Sequence, residues 1–350
     1  MGMLEHELNR RNFLKGGVAT GAALALGSTL AHAALPPAKT IQTVGKLPER
    51  AFGKTGHTLP IFAHGGSAMM ASDIEKYGLE LISMEERIKM VRKGYDIGIR
   101  YFDTARIYGE SEHIMAEALK DVRENVYLAS KVLVGKPEEV RASVEGSLEQ
   151  LQTAYIDGVQ IHGPSIERLG RDGCMPLYEE LVKLREEGLV RFIGITGHSR
   201  FEEMYKLVSE GVFDTLLIEF GYMRKGYNTR HSLESLEWRE LTVAKASSLG
   251  MGILAMKVLG ANVFSHNAEK VVPGFDPERR GQLARAAIRW VLNDSRVQLL
   301  NIGISMPSDI DRNLEIFTGD LALTNDDRML LSEFAGQAYK HPLISELETV

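Results

Sequence analysis

The chain is expected to fold as a single-domain (β/α)8 barrel of the TIM type, and three observations carry that expectation. From about residue 61 onward, eight short runs rich in Val, Ile and Phe alternate with charged segments of helical period. That alternation builds βαβ units and a parallel sheet. A length of 350 residues suits such a barrel, which commonly uses about 250 residues or more as one domain. No run leads into a Gly-x-Gly-x-x-Gly turn, so a doubly wound dinucleotide-binding sheet has no support.

The elements follow in order. Residues 9–15 carry Arg10, Arg11 and Lys15, an apolar Gly- and Ala-rich run spans 16–30, and Ala31-His32-Ala33 ends it. This is the layout of a signal peptide with a small-x-small cleavage site. The run falls short of the roughly 20 apolar residues a membrane span needs. Paired arginines before Phe13-Leu14-Lys15 resemble a twin-arginine export signal. Residues 1–33 are therefore expected to be a twin-arginine signal peptide, with the Tat export machinery as partner, no stable membrane anchor after cleavage and a periplasmic or otherwise exported destination. Residues 34–46, with Pro36 and Pro37, read as a flexible leader. The barrel is expected over 47–320, with strands at 61–64, 99–103, 126–131, 158–161, 192–196, 215–219, 252–256 and 298–303. Helices are expected at 84–95, 113–120, 137–151, 175–187, 201–209, 237–249 and 279–293. Residues 321–350 form a C-terminal helical extension, with its helix at 326–338.

Composition narrows the function. Hydrophobic residues make up 44% and charged residues 25%, and the net charge of −6 offers no basic field to nucleic acid. The single cysteine, Cys174, excludes a disulfide framework and any all-cysteine metal site. Polar residues gather instead at strand ends, where a barrel places its catalytic groups. Asp103 closes the second strand with Tyr108 just beyond, Lys131 closes the third, and His162 follows the fourth. Singly, each has a structural explanation as a helix cap, a solvated charge or a core histidine. Together they make a proton-transfer set: a tyrosine with a pKa of about 10 becomes a useful acid when a neighbouring cation stabilises its phenolate.

The text around these residues is more specific. Gly98-Ile99-Arg100-Tyr101-Phe102-Asp103-Thr104-Ala105 and Tyr108-Gly109-Glu110-Ser111-Glu112 resemble the aldo-keto reductase signature. Leu128-Ala129-Ser130-Lys131, Ile161-His162-Gly163-Pro164 and Gly188-Leu189-Val190-Arg191-Phe192-Ile193-Gly194 continue the resemblance, which spans 47–317. It implies an NADP(H)- or NAD(H)-dependent oxidoreductase that reduces an aldehyde or ketone, with a small-molecule carbonyl substrate. Asp103, Tyr108, Lys131 and His162 are its implied catalytic residues, and no metal is implied. Thr196 and His198 are expected to contact the cofactor carboxamide, and Phe220 or Tyr222 to stack on the nicotinamide. Ser305, Ser308, Asp309, Arg312 and Asn313 are expected at the adenosine end.

Three departures from the family pattern stand out. Thr196-Gly197-His198 replaces Ser-Asn after the fifth strand, and Leu217-Ile218-Glu219 lacks the usual glutamine on the sixth. Beyond the last strand, Gly303 and Asp309 occupy the positions of a lysine and an arginine that receive the 2′-phosphate of NADP, so a carboxylate is expected to face that phosphate. Two other readings compete. A metal-dependent barrel hydrolase would have His64, Asp103, Lys131, His162 and His198 at one mouth, where imidazoles and a carboxylate suit zinc, and a cofactor-binding redox sensor would keep the four catalytic-type residues with little turnover. For the leader, changing both Arg10 and Arg11 to Lys is expected to block export and leave precursor in the cytoplasm. N-terminal sequencing and fractionation check this, with native mature protein starting near Ala34.

Overall fold

Strands that are apolar on both faces need cover on both sides, and here a parallel sheet meets that need by closing on itself. β1 (Phe62–Gly65), β2 (Tyr101–Asp103), β3 (Tyr127–Val132), β4 (Ile156–Ile161), β5 (Val190–Gly197), β6 (Thr215–Glu219), β7 (Gly252–Met256) and β8 (Leu299–Gly303) each pair in parallel with the next, and β8 returns to β1. The computed structural model describes residues 40–43, 45–72, 79–226 and 228–350. The expected signal peptide, its cleavage site, most of the leader and Tyr77 lie outside the described residues. Every strand begins and ends within two residues of its expected bounds.

Helices cover the outer face: α1 (Met84–Asp96), α2 (Ser111–Leu119), α3 (Val140–Gln150), α4 (Gly163–Glu186), α5 (Phe201–Ser209), α6 (Leu233–Ser248), α7 (Arg280–Leu292) and α8 (Pro307–Thr318). Local chemistry sets their starts. Ser83 and Glu86 form a capping box at α1, and Pro164 opens α4. α4 starts well before the expected residue 175, because Gly170 with φ 61° breaks the helical path without ending the element. That break hides the first turns from a periodicity reading.

Side-chain parity then sorts the interior from the exterior. Ala63, Tyr101, Tyr127, Ala129, Phe192, Leu217, Leu254 and Leu299 face inward and pack with Phe52 and Leu59. A hairpin, Glu49–Ala51 with Thr58–Pro60, brings Phe52 under the barrel. There Phe52 meets Tyr101 edge-on at 5.7 Å, while Tyr101 stacks on Tyr127 at 4.8 Å. An aromatic plug therefore closes the bottom and leaves the open end at the strand carboxyl termini. The same parity carries Asp103 and Lys131 inward, two and four residues beyond Tyr101 and Tyr127.

The C-terminal helix α9 (Asn325–Ala338) starts at a Thr324–Asp327 capping box. Leu331, Phe334 and Ala335 pack against Leu283 and Ala287 of α7, so this helix covers the barrel's flank. The last strand, Glu348–Thr349, pairs with Thr229–Arg230 and ties the tail to the loop after β6.

His64 lies in the outward phase, fully buried, its ring stacked on Phe102 at 5.8 Å. This corrects the expectation that it faces the mouth: Ala63 and Gly65 face inward, so His64 turns to α1. Burial pushes its pKa from 6.5 down to about 4. The unfolded chain thus takes up this proton first, and the stability gained by keeping His64 neutral is full above about pH 6.5 and lost as pH falls toward 4. His64→Phe is expected to shrink the stability difference between pH 7.5 and 4.5 by about 2 to 3 kcal/mol, read by urea unfolding at both pH values. An unchanged difference would mean that folded His64 also takes the proton.

Candidate active site

At the centre of the barrel mouth Lys131 Nζ donates to Asp103 Oδ2 at 2.6 Å and to the Thr104 carbonyl at 2.7 Å. The two side chains are 1% and 3% exposed. A carboxylate in such a dry place is pushed up by burial, against which Lys131 and Asn301 donate to its charged form. Lys131 stays charged because Asp103 and Tyr108 outweigh its own burial.

The turn after β2 brings Tyr108 over this pair. Lys131 Nζ hydrogen-bonds the Tyr108 side chain and lies 4.8 Å from the ring centroid. His162, at the end of β4, presents its ring edge-on to Tyr108 at 6.0 Å. Burial first, and the Lys131 charge second, lower the His162 pKa to about 3, so its imidazole is neutral at physiological pH. Asp103, Tyr108 and His162 line one cavity of about 300 Å³, with Thr196 and His198, and Lys131 lies behind them on Asp103.

His198 is neutral too, its pKa driven well below 6.5 by burial, with Lys257 and His162 adding to the effect. Its Nδ1 sits 3.8 Å from Glu219 Oε2, and Glu219 Oε1 meets His231 Nε2 at 2.6 Å. The glycine before His198 has a steric neighbour: a Cβ at Gly197 would come 2.7 Å from Met204 Sδ, so a side chain there needs the Met204 side chain to shift. Phe220 and Tyr222 do not join the cavity. Phe220 stacks on Trp290 at 5.8 Å beneath the Arg239 guanidinium, and Tyr222 packs edge-on against Trp290 and Phe264. The chain leaves β6 outward, and both rings become part of the flank's packing.

A second cavity, about 120 Å³, shares Leu259, Asn262 and Gly303 with the first, making one continuous trench. Ser305, Asp309, Arg312 and Asn313 line it, with His266, Arg280 and Arg285. Ser308 is exposed on α8, outside this lining. Asp309 departs from expectation in how its charge is used. Its Oδ2 accepts from the backbone N–H of Ser305 and Met306 at 3.1 and 3.0 Å, and its Oδ1 from Arg312 at 2.5 Å and His266 at 3.0 Å. A carboxylate engaged on four sides shapes the start of α8 instead of confronting a phosphate.

Sequence reasoning missed Asn301, Lys257, Asn262 and His266. Asn301 had a signal, as the one polar residue in Leu299-Leu300-Asn301-Ile302. Lys257 and Asn262 line the trench from left-handed backbone, φ 58° and 69°, a conformation that asparagine adopts readily and lysine rarely. Among the described residues no group of three or more His, Cys, Asp or Glu is placed to hold a metal. With His64 facing α1, the hydrolase reading loses its ligand set.

A profile of the Aldo/keto reductase family matches residues 69–333, and one of twin-arginine translocation pathway signal sequences matches residues 7–27. The chain is similar to L-galactose dehydrogenase of Arabidopsis thaliana, 28% identical over 308 residues that cover 82% of this chain and 93% of that one. It is 25% identical over 266 residues to the methylglyoxal reductase DkgA of Yersinia pestis, covering 73% and 86%. In fold it resembles a holo-form aldo-keto reductase of Bacillus halodurans, with a TM-score of 0.61, 18% identity and coverage of 83% and 96%. With the barrel closed and the profile matched over most of its length, this chain belongs to the aldo/keto reductase family of NAD(P)-dependent oxidoreductases and carries a twin-arginine signal sequence.

Proposed function

We propose that this protein reduces an aldehyde or ketone to an alcohol, with Tyr108 as the proton donor, outside the cytoplasm after Tat-dependent export. The observation that carries the reading is the Lys131 ammonium, held by Asp103 at 2.6 Å and placed 4.8 Å from the Tyr108 ring centroid. When bound, the nicotinamide cofactor supplies the hydride. Its site is the trench, whose two cavities are continuous through Leu259, Asn262 and Gly303 and suit an extended dinucleotide.

The residues act as follows. The carbonyl carbon gains the hydride, the carbonyl oxygen takes the Tyr108 proton, and the phenolate left behind is held by Lys131 until solvent returns the proton. His162, neutral, positions the carbonyl through a ring N–H. Donors fixed where negative charge develops are worth several kcal/mol, since they need no reorganisation. Glu219 Oε2, 3.8 Å from Nδ1, favours the His198 tautomer with its proton there, which leaves Nε2 as an acceptor for the carboxamide N–H. Thr196 supplies the second contact. Relatives named for L-galactose and methylglyoxal support a small, oxygenated, sugar-like carbonyl as substrate.

Tyr108→Phe is expected to lower kcat by about 10²- to 10⁴-fold while cofactor affinity stays within about twofold. Oxidation of NADPH and NADH with methylglyoxal and a sugar aldehyde panel measures the first, and fluorescence titration the second. Native turnover in the variant would remove Tyr108 from the chemistry, and negligible turnover by native protein would favour the redox-sensing reading.

At the adenosine end each arginine is already paired: Arg312 with Asp309, Arg285 with Glu315, Arg280 with Glu269. Little uncompensated cation remains for a 2′-phosphate, so NADH is expected to bind at least as well as NADPH. Asp309→Asn releases Arg312 from its carboxylate, worth on the order of 1 kcal/mol or more at surface-like dielectric. NADPH affinity is then expected to gain about tenfold relative to NADH, less at high salt. A ratio that stays put would exclude Asp309 and Arg312 from nucleotide choice.

A further inference from the structure

Asn301 donates from Nδ2 to Asp103 Oδ2 at 3.2 Å, the oxygen that Lys131 also binds. These two residues are not on neighbouring strands. Asn301 lies on β8 and pairs with Ala63 of β1, and Asp103 lies on β2 and pairs with Gly65. The contact reaches across β1 because that strand turns only Ala63 and Gly65 inward. A Cβ at Gly65 would stand 3.2 Å from Asn301 Oδ1 and 3.3 Å from the Gly303 backbone nitrogen, so even a methyl group there would press on the amide. Asn301 also borders the same cavity as Tyr108 and His162.

We propose that Asn301 is a positioning residue of the proton-donating set, its amide holding the Asp103 carboxylate ionised and so keeping the Lys131 ammonium directed at Tyr108. The inference rests on the reading of Tyr108 as the acid. Its physical basis is a count of donors. Asp103 Oδ1 is buried without a hydrogen-bond partner, so Oδ2 bears the stabilisation of the charge, from Lys131 and Asn301. Without the amide, Lys131 stands alone against a desolvated carboxylate, and its proton is drawn toward Asp103 and away from Tyr108. Tyr101 below, His162 and His198 across the mouth, and Lys257 on the rim are the other titratable groups facing this set; the two histidines are neutral, and Tyr101 is raised well above its usual pKa by burial. With the donor removed, the field at Tyr108 becomes less positive, and its phenol must lose its proton at higher pH.

The test needs no substrate. Tyrosine labelled with ¹³C at Cζ is titrated by NMR in cofactor-free protein, and the Tyr108 resonance is assigned by its loss in Tyr108→Phe. Asn301→Leu, similar in size but without a donor, is expected to raise the Tyr108 midpoint by about half a pH unit or more. Asn301→Asp, which sets an acceptor in place of the donor, is expected to raise it further, and Gly65→Ala to raise it by displacing the amide. If Asn301→Leu does not fold, Asn301→Asp decides. A midpoint that moves by less than about 0.2 unit, or moves down, in the folded Asn301 variants overturns the inference and leaves Asn301 a packing residue. Native turnover in Tyr108→Phe would instead overturn the acid assignment, a separate failure read from kinetics while the resonance still reports the coupling.

Discussion

Burying an ammonium beside a carboxylate costs several kcal/mol per ion in lost hydration, and mutual attraction alone need not repay it. The barrel meets that cost at Lys131 and Asp103, both nearly inaccessible, by surrounding them with fixed partners: the Thr104 carbonyl, the Asn301 amide and the Tyr108 side chain. Thr104 and Tyr108 come from the turn after β2 and Asn301 from β8, so the full set of partners is assembled only after the sheet has closed. The aromatic plug below serves the same end, since Tyr101 lies one inward position beneath Asp103 and Tyr127 two beneath Lys131, with Ala129 between, and they close the bottom.

The charge pair also sets the state of its neighbours. His162 and His198 both sit in positive surroundings and little solvent, and both are held neutral. A neutral imidazole offers one donor and one acceptor, which is a positioning tool; an imidazolium would compete with Tyr108 as proton source. In the proposed chemistry the division of labour therefore follows from burial: the proton comes from the one polar group at the mouth whose ionisation an adjacent cation favours.

Much of this was legible in the sequence, for identifiable reasons. All eight strands announced themselves because buried parallel strands are near-continuous apolar runs, and the mouth residues followed from the rule that strand carboxyl ends carry the site. His64 was misplaced because proximity to a strand end was weighed without parity; Ala63 and Gly65 are too small to advertise the inward face. Phe220 and Tyr222 were misjudged because a residue just past a strand can turn either way, and Trp290 on α7, far off in sequence, decides the direction. Asn301 was visible as a lone polar residue, but its partner lay on a strand two places away, which no local pattern specifies.

The sequence's resemblance to the family pattern is tightest at the residues of the proposed proton transfer and loosest at those proposed to grip the ligand's ends. Proton transfer demands a particular acid, cation and counter-ion at fixed spacing, whereas a carboxamide or a ribose can be held by many combinations of donors. At β5 a side chain at position 197 would press on Met204 Sδ, and in the proposed binding mode the polar contacts come from Thr196 and His198. His198 in turn needs something behind it, and Glu219, in the place of an uncharged amide, provides a carboxylate that is itself buried and must be held. His231 holds it at 2.6 Å from a loop that the C-terminal strand fastens down through Val350 and Arg230. From β5 the contacts thus run through a histidine and a buried carboxylate to the last strand of the chain, and tie the C-terminal extension to the geometry of the barrel mouth.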